Sequence, residues 1–201
     1  MVAQAQEGPI WTVEQYLDME EHSTVKHEYH DGQVYAMAGG TQAHSIIAGN
    51  ICSLLRVAVR GSGCRVLNSD IKIRQSVEDY VYADATVTCD PSDIRPEQVW
   101  IDHPLLVIEV LSFSTARHDR GDKFDGYKQI ASLREYVLIE SRQREVEVWR
   151  REESQAWRRT AHAPGEDIVL ASVPLTVSMD LLYEDSGVLT GSGSNLETVR
   201  A

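Results

Sequence analysis

Apolar residues recur along the chain with two different periods, and the switches between them divide it into elements. Thr12 followed by Gln15 has the spacing of a capping box and predicts a short helix through about Glu21. The stretch KHEYHDGQVYAM then reads as a hairpin, because Asp31-Gly32 supplies the positive φ angles that a tight type I′ turn requires. From Thr41 to about Val59 the period becomes helical, with Ile47, Ile51, Leu54, Leu55 and Ala58 on one side and GSG at 61–63 as a stop. Strands are expected over 64–68, 70–76, 81–88 and 105–111, interrupted by the EDY turn and by the Pro/Asp-rich DPSDIRPEQ. The polar, amphipathic TARHDRGDKFDGYKQIA reads as a crossover helix leading into the apolar strand EYVLIE at 135–140, which is the pattern of a βαβ unit with parallel strands. REVEVWRR and AWRRTAHA predict a further hairpin, followed by IVLASVPLTV and a short helix after Ser178.

These elements spell an α-βββ-α-β core with added N- and C-terminal hairpins: an α/β fold with a mixed sheet flanked by helices. One domain over 1–185 accounts for the length, and the Gly/Ser-rich composition from Ser186 predicts a flexible tail over 186–201. Hydrophobic content of 42% and charged content of 25% are those of an ordinary globular chain. Neither a basic-then-apolar leader nor an apolar run of membrane-spanning length is present, so a cytoplasmic protein is expected. With three cysteines, no CxxC pair and apolar surroundings, Cys52, Cys64 and Cys89 are expected to be buried thiols.

Two acidic residues conflict with the strand pattern around them. Glu109 interrupts the aliphatic run PLLVIEVLS, and an isolated carboxylate buried in a sheet needs a cation, donors or a metal ion. Asp84 sits in VYADATVTC between alanines, although Asp is disfavoured within strands. On adjacent strands the two could project from one face, where a divalent cation would relieve their repulsion; a structural ion pair with an Arg is the plainer alternative.

ADATV, followed by PLLVIEVLSFSTARHDRGDK, Tyr127 and EYVLIE, resembles the Uma-two family, whose members are described as restriction endonucleases, within the PD-(D/E)XK nuclease superfamily. The resemblance runs from about Trp11 to Tyr183. It implies a restriction-endonuclease-like core, a four-stranded mixed sheet between helices, and a Mg²⁺ (or Mn²⁺) site hydrolysing phosphodiester bonds of nucleic acid, DNA being expected. It also implies a homodimer. Residue by residue it marks Asp84 and Glu109 as metal ligands and Lys123, Glu28 and His44 as further site residues. Ala83 stands where the superfamily has Pro, Phe113 where relatives often have Pro, and Leu111 where the motif Lys is usual. Lys123 is therefore expected to supply that cation from the crossover helix, and Lys123→Ala is expected to abolish cleavage while sparing stability.

The net charge of −12 opposes this reading, since proteins that grip polyanions usually present a basic face. The alternative is a nuclease-like module that binds or regulates without catalysis. HEYH is not a zinc-protease motif, because alternation sends His27 and His30 to opposite faces. Asp70, Lys72 and Arg74 alternate as a solvated strand face would, and the Arg/Trp-rich hairpin at 142–159 is diluted by four glutamates, so two packed tryptophans under a charged surface are expected there. No P-loop, GxGxxG or nucleophile elbow occurs.

Overall fold

The computed structural model describes residues 9–189. Helix α1 (Val13–His22) begins with the reciprocal capping box between Thr12 and Gln15 and packs against the hairpin β1 (His27–His30) and β2 (Gln33–Ala36). Asp31 and Gly32 turn that hairpin at φ 44° and 81°. At Gly32 a Cβ would also meet Ile10 Cγ2 at 2.7 Å, so conformation and space both demand glycine. Helix α2 (Gln42–Ala58) is capped by Thr41 and buries Ile47, Ile51 and Leu55.

Nine strands and two α-helices follow before the last hairpin. They are β3 (Arg65–Asn68), β4 (Lys72–Ser76), β5 (Asp79–Tyr82), β6 (Ala85–Thr88), β7 (Trp100–Ile101) and β8 (Pro104–Leu111). Helices α3 (Ala116–Arg120) and α4 (Asp122–Gln129) lead to β9 (Glu135–Glu140), and then come β10 (Val146–Arg151) and β11 (Trp157–His162). A last hairpin of β12 (Asp167–Leu170) and β13 (Leu175–Ser178) precedes the short helix α5 (Met179–Leu182).

The strands form a six-stranded sheet, β11-β10-β9-β8-β6-β3, a five-stranded sheet, β2-β1-β5-β4-β7, and the pair β12-β13. Within the larger sheet β8 and β9 run parallel, as the crossover pattern predicts, and β6 lies antiparallel to β8. The fold class is thus the mixed α/β one, with a larger central sheet than the four strands implied by the family resemblance. Strand alternation sorts β8 between two cores: Leu106, Ile108 and Val110 join the α2 side, while Val107 and Leu111 join Phe124 and Tyr127 of α4. Glu109 shares the alternation of Val107 and Leu111, which directs it towards α4.

Several expectations are corrected here. The single strand expected over 81–88 is two strands in two different sheets, and Ala83 and Asp84 form the break between them. The expected crossover helix is broken at Gly121, whose φ of −113° and ψ of −110° are not helical, and where a Cβ would lie 3.1 Å from the Arg117 carbonyl. Cys64 and Cys89 are not thiols: the register Arg65↔Thr88 brings them side by side and they form a disulfide, leaving Cys52 free and half-buried. Lys72 is buried rather than solvated, over the ring of Tyr82, while Lys26–Asp70 and Arg74–Asp102 are ion pairs. The segment expected to start a flexible tail begins packed, with Ser186 and Val188 buried; residues 190–201 lie outside the described residues. Trp149 and Trp157 do pack, both against Phe124.

Candidate active site

The break between β5 and β6 decides where the site lies. It carries the chain from one sheet to the other, so residues of both sheets meet the helical crossover there. Extending the β6–β8 register by one step from Ala85↔Ile108 sets Asp84 opposite Glu109. Asp84 is thus not a misfit within a strand; it lies in the break just before β6, and its Oδ2 accepts the Val110 N–H at 2.7 Å. His44, in the first turn of α2, brings Nε2 to 3.3 Å from the same oxygen. Hydrogen bonding to Asp84 raises the His44 pKa, which favours the imidazolium, against the opposing effect of burial.

Glu109 is 4% exposed and faces the crossover. Its Oε1 accepts the Tyr127 hydroxyl at 3.1 Å and lies 3.0 Å from Lys123 Nζ. Lys123, 5% exposed, also donates to the Tyr82 carbonyl at 2.6 Å and meets Glu28 Oε1 at 2.9 Å. Its three protons therefore have three oxygens. Glu28 in β1 additionally accepts the Tyr82 N–H at 3.0 Å, tying the smaller sheet to the site. Lys123 owes its position to the helix break at Gly121 and to Gln75, whose amide bonds the Lys123 carbonyl at 2.9 Å; a Cβ on Gly126 would strike the Gln75 amide.

Two residues of α3 complete the cluster. Asp119 of α3 is buried, 3.9 Å from Lys123, and His118 lies 3.9 Å from Glu28 Oε2. Sequence reasoning missed Asp119, although Asp119, Lys123 and Tyr127 are spaced by four, the repeat of one helical face. All five residues anticipated from sequence, Glu28, His44, Asp84, Glu109 and Lys123, fall in this cluster. Lys72 is not in direct contact with its carboxylates; it stands over Tyr82.

The electrostatics are lopsided. Glu28, Asp84, Glu109 and Asp119 face a single ammonium. Burial pushes the Glu109 carboxyl well above its ordinary pKa, Lys123 pulls it down, and the other three acids push it up again. Asp119 is raised mainly by burial. Burial alone would lower Lys123, but Glu109, Glu28 and Asp119 outweigh it and hold the ammonium charged. Among the described residues no three His, Cys, Asp or Glu side chains converge as a complete metal cage. The oxygen-only pair of Asp84 and Glu109, in surroundings short of positive charge, nevertheless suits a hard dication that takes its remaining ligands from main chain and water.

The profile of the Uma2 family, described as "Putative restriction endonuclease", matches residues 13–181. An uncharacterized protein of Synechocystis sp. is 36% identical over 186 residues, covering 91% of this chain and 97% of its own. A second uncharacterized Synechocystis protein is 32% identical over 154 residues, covering 75% and 86%. A crystal structure from Anabaena variabilis, titled as a putative nuclease belonging to DUF820, superposes with a TM-score of 0.70 at 17% identity, covering 86% of this chain and 97% of that one, a likeness of fold.

Proposed function

Since the chain belongs to the Uma2 family, described as putative restriction endonucleases, we propose that it is a divalent-metal-dependent endonuclease that hydrolyses phosphodiester bonds of nucleic acid, with DNA as its substrate. The observation that carries this reading is the gathering of Asp84 and Glu109 from paired strands beside a buried Lys123. Asp84 and Glu109 are the residues that would hold Mg²⁺ or Mn²⁺. Bound there, the ion supplies Lewis-acid polarisation of a phosphoryl oxygen and a lowered pKa for the attacking water.

The chain's own residues divide the remaining work. Lys123 stays protonated with its three protons engaged, so it acts as a fixed positive charge behind the carboxylates rather than as a base. Glu28 and Tyr127 orient the pair on which the site depends, Glu28 by holding the ammonium and Tyr127 by donating to Glu109. His44, favoured as imidazolium by Asp84, is placed to donate a proton to a leaving oxygen. The test is Asp84→Asn: calorimetric titration with Mn²⁺ should show a binding site in the wild type and none in the variant. An unchanged isotherm would remove Asp84 from the metal site.

A further inference from the structure

Phe113 is the only Phe, Tyr or Trp side chain among the described residues that is exposed, with 82% of its surface open. It sits on the turn joining β8, which carries Glu109, to α3, which carries Asp119. It is the fourth residue after Glu109, so the two α-carbons are at most about 14 Å apart. The turn is tightly bonded: Ser112 Oγ meets Ser114 Oγ at 3.1 Å and Thr115 Oγ1 at 3.0 Å, and the Ala116 N–H donates to the Ser112 carbonyl at 3.1 Å. Phe113 is therefore held on a well-bonded turn between the two elements that carry Glu109 and Asp119.

Arg142, just beyond the parallel neighbour β9, places its guanidinium carbon 5.5 Å from the Phe113 ring centroid. Nε and Nη2 of Arg142 bond the Glu140 carboxylate at 3.0 and 3.3 Å, which fixes the guanidinium plane against the ring. The result is a cation-backed aromatic ring open to solvent on the turn that links two elements of the acidic cluster. A nucleobase has the complementary flat face, and stacking on an aromatic ring needs neither a basic surface nor a particular base. That matters for this chain, whose net charge of −12 disfavours general attraction of phosphates.

We propose that Phe113, backed by Arg142, is a stacking platform for an unpaired nucleobase, so that the substrate is single-stranded or is opened next to the cut. This rests on the nuclease reading for its catalytic consequence, while the stacking itself can be measured without cleavage. The experiment is fluorescence anisotropy of fluorescein-labelled oligothymidylate in EDTA, comparing wild type, Phe113→Ala and Phe113→Trp, with the same strand annealed into a duplex as the second probe. Phe113→Ala should weaken single-strand binding about tenfold, Phe113→Trp should retain it, and duplex binding should change less. Because the ring is exposed, thermal midpoints should match, and Phe113→Trp guards against any local disturbance by the alanine. Equal affinities of wild type and Phe113→Ala, or no measurable affinity of the wild type for oligothymidylate, would overturn the proposal. Parallel incubation of the strand with Mn²⁺ separates the two readings: stacking without cleavage defeats the nuclease alone, and Glu109-dependent cleavage with unaltered Phe113→Ala binding defeats the platform alone.

Discussion

Replacing Lys123 with methionine removes the one ammonium from the cluster while keeping much of the side chain's length and apolar volume. The structure sets the cost. Nζ satisfies the Tyr82 carbonyl at 2.6 Å, Glu28 at 2.9 Å and Glu109 at 3.0 Å, all at a position 5% exposed. Breaking a buried ion pair by deleting one partner typically costs about 3–5 kcal/mol, because the other charge stays buried and uncompensated. Burial already disfavours the charged form of Glu109, so that carboxyl can take up a proton and recover part of the loss. The lower end, about 3 kcal/mol, is therefore expected, corresponding to a fall of roughly 6–12 °C in thermal midpoint for a chain of this size. Urea unfolding of metal-free protein measures it, and a double-mutant cycle with Glu109→Gln should return about 1–2 kcal/mol as coupling. A loss below about 0.5 kcal/mol, the effect of an ordinary surface charge, would refute the reasoning. The burial of Lys123 argues against the expectation from sequence that removing it spares stability, because its helix turns it inward.

Two other outcomes follow from the charges and the family. Burial pushes the Glu147 carboxyl up, but bonds from Arg159 at 2.6 Å and Arg120 at 2.9 Å outweigh it and hold its pKa below the ordinary value. A depressed carboxylate stabilises above its unfolded pKa of about 4.3 and loses that contribution as pH falls through the lower folded value. Glu147→Gln should thus cost about 1 kcal/mol at neutral pH, discounted because both arginines are partly exposed, with the difference vanishing in acid; a pH-independent cost in urea titrations would contradict this. Light scattering at micromolar concentration should give the mass of a dimer, as expected from the family resemblance, and a monomer mass would reject it.

Much of this architecture was legible because it is local. Thr12 and Gln15, Asp31-Gly32 and Thr41 act through their immediate neighbours, and each starts or turns the element it predicts. Glu109 was legible because a carboxylate in an aliphatic strand is costly wherever the strand lies. Asp84 was noticed for a related reason but placed in the wrong setting: VYADATV carries no Gly or Pro, so nothing local announces that Tyr82 and Ala85 belong to different sheets. The Cys64–Cys89 disulfide was equally hidden, because it depends on the pairing of β3 with β6 across a separation of 25 residues. Asp119 could have been found from its spacing with Lys123 and Tyr127. The burial of Lys72 could not, because its alternation with Asp70 and Arg74 is that of a solvated face, and only the sheet containing Tyr82 covers it.

Whether the cluster hydrolyses nucleic acid is the central claim, and it is tested most directly by incubating the protein with single- and double-stranded DNA in Mg²⁺ or Mn²⁺, with EDTA as control, and comparing wild type with Glu109→Gln. The glutamine keeps the shape and removes the charge from the residue that Lys123 and Tyr127 both address. The account predicts internal cleavage by the wild type that requires the metal, and its loss in Glu109→Gln while the fold persists. Cleavage that survives in Glu109→Gln, or a folded wild type that binds the metal and cuts none of these substrates, would contradict it.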